Sequence, residues 1–158
     1  MARQSPLDLK WYGISSFSFS YAQDEEMKSD AEEPKLDVQV TRNHKTKTDD
    51  KHFHLIEMDI SVEVKRKDVQ LVNVALKING IFDARPKNSK PDEEEEKKLL
   101  SIVSINGSSI LYGIAREYIS MATCHCPGGC FILPSVSFMP SPKKKGKQKG
   151  KSEPVTPE

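Results

Sequence analysis

A chain of 158 residues with 36% apolar and 30% charged side chains has the length for one domain and one hydrophobic core, and too little apolar content to pack all of it. No stretch approaches the roughly 20 apolar residues that span a bilayer, and the opening MARQSPLDLKWYG has no apolar run of the kind a secretion signal needs. The net charge of +1 is uneven, because Ser141 to Glu158 holds six lysines against two glutamates, which leaves the body mildly acidic.

The expectation is a soluble protein with a domain over residues 1–140 and a disordered Lys-rich tail over 141–158. Three cysteines within seven residues are an odd number and make no disulfide framework, so a reducing, cytoplasmic context is the simpler one.

In residues 9–22, Phe17, Phe19 and Tyr21 alternate with Ser16, Ser18 and Ser20, the pattern of a strand with one apolar face. Ile14 is out of phase, so Gly13 or Ser15 marks a bulge or the strand start. Gln23 to Pro34 is acidic with almost nothing to bury and predicts a solvated connection. Leu36, Val38 and Val40 alternate in a second short strand, and Arg42 to Lys51 is polar enough to predict a loop. The clearest signal follows: Ile56, Met58, Ile60, Val62 and Val64, a turn at Lys65 to Asp68, then Val72, Val74, Leu76 and Ile78, a hairpin with one apolar and one wet face. Asp83 to Glu96 predicts a loop, and Lys97 to Ile105 is a short apolar segment whose period leaves helix and strand both open.

From Ser108, Ile110, Leu111, Ile114, Ala115, Tyr118, Ile119, Met121 and Ala122 recur at offsets of one, three and four, which predicts an amphipathic helix opened by Asn106-Gly107 and capped by Ser108 or Ser109. Pro127-Gly128-Gly129 ends it. Phe131 to Phe138 is apolar but interrupted by proline, an extended segment laid on something greasy.

Four strands make a sheet about 19 Å wide, and one helix covers about 10 Å of it. Half of the apolar face is therefore left for another subunit or a client, unless Phe131 to Phe138 and Leu99 to Ile105 close it to give an ordinary monomer.

The run NGSSILYGIAREYIS, continuing through Phe131 and Leu133 to Val136 and Phe138, resembles the first helix and following loop of the SecB export chaperones, and Gly80-Ile81-Phe82 resembles the end of that family's last strand. The resemblance implies an α+β fold: a four-stranded antiparallel sheet with one long amphipathic helix on its apolar face, assembling as a homo-oligomer, a dimer or dimer of dimers. It implies an ATP-independent chaperone that holds unfolded client polypeptides in apolar grooves for export. The matching groove residues are Phe17, Phe19, Leu111, Tyr112, Tyr118, Phe131, Ile132, Leu133 and Phe138, with subunit core as the plainer reading for Ile114, Tyr118 and Ile119.

Two features depart from the family pattern. Met139-Pro140-Ser141-Pro142 and lysines stand where the family has a second helix. Ser16, Ser20 and Ala75 stand where it has acidic residues for docking the SecA motor, which puts that partner in question. Some SecB-like proteins escort an antitoxin instead, and this is the alternative client.

Cys124, Cys126 and Cys130, with His125, carry metal-ligating atoms, but C-x-C-x₃-C is not the paired spacing of zinc modules, and small, partly buried thiols at a helix end are the plainer reading. A redox pair is a further reading, without the C-x-x-C spacing. No cofactor is expected. The lysine tail has no aromatic to stack bases, so no specific nucleic-acid binding is expected; an adaptor module acting through this tail or the cysteines is the non-chaperone reading. His44, His52 and His54 lie around the predicted loop with nothing to orient them, and no catalytic set can be assembled, so an enzyme is not expected.

Overall fold

A computed structural model describes residues 7–22, 33, 35–46, 50, 52–66, 69–86, 92–125 and 130–139. The acidic connection, the centre of the hairpin turn, the Pro-Gly-Gly stop and the lysine tail lie outside the described residues. Four strands, β1 (Leu7–Tyr21), β2 (Lys35–Thr46), β3 (Phe53–Arg66) and β4 (Val69–Ala84), form one antiparallel sheet in the order β1-β4-β3-β2. This is the Greek-key order, with three consecutive strands as a meander and the first strand beside the last.

The register explains the alternation. Across the sheet, Phe17, Leu76, Ile60 and Val40 stand opposite one another, and so do Phe19, Val74, Val62 and Val38. All of these point to one face, and the residues between them point to the other. In β1 the register slips between Leu9 and Trp11 and between Ile14 and Ser16. The second slip makes Ser15 a bulged residue, which lets Ile14 and Phe17 share the inner face although three positions separate them.

Three predicted boundaries are corrected. β2 runs on to Thr46 through the stretch read as a loop, because Arg42 and His44 find partners on the inner face while Asn43 and Lys45 bond to Glu57 on the outer one. The acidic run read as loop opens a helix: the Asp92 carboxylate accepts the Glu95 N–H at 2.7 Å, Glu93 to Glu96 fill the first turn where the helix dipole favours negative charge, and Lys97 and Lys98 pair with Glu93 and Glu94. The third correction is the helix start. A single helix, α1 (Glu93–Thr123), passes through Asn106-Gly107 with a π-helical turn at Val103–Gly107. Ser108 and Ser109 donate back to the carbonyls of Ser104 and Ile105 instead of capping a new helix.

Gly107 leaves no room for a side chain between helix and sheet. A Cβ there would lie 2.5 Å from Ile56 Cδ1 and 3.3 Å from the Phe82 ring, and one on Gly80 would lie 2.7 Å from Leu111 Cδ2. A turn glycine by sequence is thus a packing glycine in the fold. At 31 residues, α1 is long and apolar enough to cross a bilayer by length and composition alone, where the sequence reading expected no such stretch. Its packing gives it another role: Val103, Leu111, Ala115 and Ile119 are fully buried, and α1 is the core helix.

Candidate functional site

The helix divides the inner face into two apolar strips. On the β1 side, Phe17 meets Tyr118 edge-to-face at 5.3 Å between ring centroids, and Phe19 stacks with Tyr21 at 5.9 Å. Ile110, Ile114, Tyr118 and Met121 recur every three or four residues along α1 and so share a face, which remains partly or largely exposed. The stripe read from sequence is therefore wider than the face the sheet buries.

On the β2 side lies the segment 130–139, which reverses beyond the helix end and returns along it. Its placement follows from four contacts. The buried Thr123 hydroxyl donates to Ile119 O and accepts the Phe131 N–H, both at 2.8 Å. Leu133 is fully buried in the core. Tyr112 donates its phenol to Pro134 O at 2.7 Å, and burial raises its pKa, so it stays a neutral donor. Phe138 packs edge-on against Tyr112 at 5.7 Å, with the Arg42 guanidinium 5.8 Å from its ring centroid. Arg42 also donates to Ser104 O in the π-helical turn, tying strand, helix and segment together.

The nine residues expected to bind clients fall into two sets. Leu111, Tyr112, Leu133 and Phe138 are buried in the chain's own core, where they anchor the strips. Phe17, Phe19 and Phe131 are half-buried, Tyr118 is 37% exposed and Ile132 is 59% exposed. Met121, Tyr21, Leu36 and Val136 are exposed apolar neighbours not assigned to the site from sequence. Tyr21 and Leu36 were legible as members of their strands' alternation, Met121 as a member of the helical stripe, and Val136 as part of the apolar segment after it. The exposed residues form an apolar surface suited to taking up apolar side chains, each worth roughly 1.5 to 3 kcal/mol when fully buried.

On the opposite face, Ser16 and Ser20 are exposed and Ala75 is half-buried. Of His44, His52 and His54, His52 lies in the turn before β3, and the other two are on strands. His44 on β2 and His54 on β3 face each other with Nε2 and Nδ1 3.2 Å apart, and His54, 2% exposed, has a buried Nε2 with no hydrogen-bond partner. Burial lowers the pKa of both; the positive charges of His44 and His52 lower that of His54 further, and Arg42 that of His44. Among the described residues no group of three His, Cys, Asp or Glu could hold a metal. The cysteine reading is corrected as well: Cys124 and Cys130 are exposed and joined in a disulfide, where small, partly buried free thiols were expected.

A family model described as preprotein translocase subunit SecB matches residues 2–141. No curated protein matches the sequence. Among solved structures, a SecB-like chaperone from Mycobacterium tuberculosis, in complex with a ChAD peptide from the HigA1 antitoxin, superposes with a TM-score of 0.59 at 13% identity, over 83% of this chain and 91% of that one. A protein of unknown function from Streptococcus agalactiae reaches a TM-score of 0.43 at 12% identity, over 82% and 97% of the two chains. At such identities the first likeness is one of fold.

Proposed function

The chain belongs to the SecB family, and from that premise we propose that it is an ATP-independent holdase that binds unfolded polypeptides on the two strips beside α1. The observation that carries this reading is the row of large apolar side chains left open on each side, exposed Tyr118 and Met121 beside half-buried Phe17, and exposed Ile132 beside half-buried Phe131, on a fold that otherwise closes a complete core. The contacts are apolar and repeated, so they hold a chain by number and not by sequence. Binding of this kind transforms no bond, takes place in the cytoplasm, and leaves a second copy of the domain to cover part of the same surface in a dimer or dimer of dimers.

The second reading is escort of an antitoxin. It is favoured by the likeness to a SecB-like chaperone solved with an antitoxin peptide and by the uncharged Ser16, Ser20 and Ala75 on the outer face. The test is light scattering of a chemically unfolded client diluted into buffer without ATP. Suppression of aggregation by the full chain, by a version lacking residues 141–158, and not by a version with Ile132→Asp and Met121→Asp supports the general holdase. No suppression by the full chain overturns it in favour of a dedicated client. Suppression lost with the tail alone overturns it in favour of an adaptor acting through its lysines.

A further inference from the structure

Helix α1 ends at Thr123, and the chain reverses so that Cys124 and Cys130 come together in a disulfide with Cα atoms 4.0 Å apart. Beside it lies the hydrogen bond from Phe131 N–H to the Thr123 hydroxyl. The two links are consecutive rungs between helix end and returning segment. The inner rung is anchored on a buried threonine, whereas both cysteines of the outer rung are exposed. The next fixed points along the segment are Leu133 in the core and Pro134 under the Tyr112 phenol. Phe131 and Ile132 stand between the bridge and these anchors.

We propose that Cys124–Cys130 is a reversible redox site whose oxidised form holds Phe131 and Ile132 in the apolar strip and whose reduced form releases that end of the strip. Its consequence for clients rests on the holdase reading; its chemistry does not.

Exposure makes the bond open to an external dithiol. A thiolate of that dithiol attacks Cys124 Sγ, the Cys124–Cys130 bond breaks, and Cys130 leaves as a thiolate that takes up a proton. The second thiol of the reductant then displaces Cys124 from the mixed disulfide. Two electrons and two protons have passed to the cysteine pair, and the dithiol has become a disulfide. Attack at Cys130 Sγ with Cys124 as the leaving thiolate balances in the same way. Oxidation by glutathione disulfide runs the exchange in reverse.

After reduction Phe131 keeps the Thr123 hydrogen bond and its packing on the core but loses the covalent tie at its neighbour, Ile132 keeps its exposed position beside it, and the core anchors from Leu133 onward are untouched.

The test uses the full chain with Cys126→Ser, so that one pairing is available, treated with glutathione disulfide or with dithiothreitol. Alkylation followed by intact mass should find no free thiol in the first sample and two in the second. Amide exchange at Phe131 to Leu133 should be about tenfold faster in the reduced form, with Ile60 and Leu76 unchanged, since only the local opening is affected. A chain with Cys124→Ser and Cys130→Ser should match the reduced form under both treatments. Two alkylated thiols after glutathione disulfide, or equal exchange in the two forms, overturns the proposal. Release of a bound unfolded client should be several-fold faster from the reduced form. Equal release overturns the link to clients, whereas no client binding by either form counts against the holdase reading and leaves the exchange result to decide the redox site.

Discussion

The central hairpin and the two edge strands carry the same alternating pattern and meet opposite fates. On β3 and β4, Ile56, Met58, Ile60, Val62, Val74, Leu76 and Ile78 are all closed off from solvent, each with a strand on either side and the helix or returning segment above. On β1 and β2, Phe17, Phe19, Val38 and Val40 point to the same face and remain half-open, because a strand at the edge has a neighbour on one side only. The edge aromatics are larger than most central side chains, so burial follows position in the sheet and not apolar character. The same division runs through α1 and the returning segment: Leu111 and Leu133 close the core, and Met121 and Ile132 face out.

The sharpest way to break that comparison is at the centre. Leu111→Ala should cost about 3 kcal/mol by the methyl groups lost and the cavity left against Gly80. It should appear as a lower urea midpoint. Arg42→Ala probes the tie between edge strand, π-helical turn and Phe138; losing a charged hydrogen bond and a ring contact should cost roughly 1.5 kcal/mol in the same assay. Removing the helix cap by Asp92→Ala should cost about 1 kcal/mol and speed amide exchange at Glu95.

Acid provides a smaller perturbation. His44 and His54 have folded pKa values below the ordinary 6.5, so as pH falls through that value the unfolded chain takes up protons first. Stability should therefore rise with pH across that window and be lost on acidification below it. His54→Leu should flatten the slope measured by urea unfolding at a series of pH values; an unchanged slope would show that the pair is not responsible. Last comes the outward position: Ile132→Asp should leave stability within about 0.5 kcal/mol, because the side chain is mostly in water already. Client holding should drop in the aggregation assay, which separates the exposed set from the anchors.

Much of the fold was legible in residues because its signals are local. The β3–β4 alternation, the amphipathic run from Ser108 and the apolar segment after it each carry their period or proline punctuation within a few residues. Arg42 and His44 were not legible as strand, since what keeps them in the sheet is a carbonyl on the helix and a ring on the next strand. Asn106-Gly107 read as a turn because glycine is permissive, while its actual use is to let the helix approach Ile56 and Phe82. The candidate site was half legible: every residue proposed for it is apolar and near α1, and four of the nine turn inward.

The amino-acid sequence by itself determined the presence of the four strands and of the helix from Ser108, the apolar face of each strand and the family resemblance, because periodicity and turn chemistry act over short spans of chain. Tertiary structure alone decided that the stretch from Glu93 to Gly107 joins the run from Ser108 in one helix, that Cys124 meets Cys130, and which apolar side chains stay in water. Those outcomes depend on what lies across the sheet or above it, a property of pairs of distant segments that no single segment encodes.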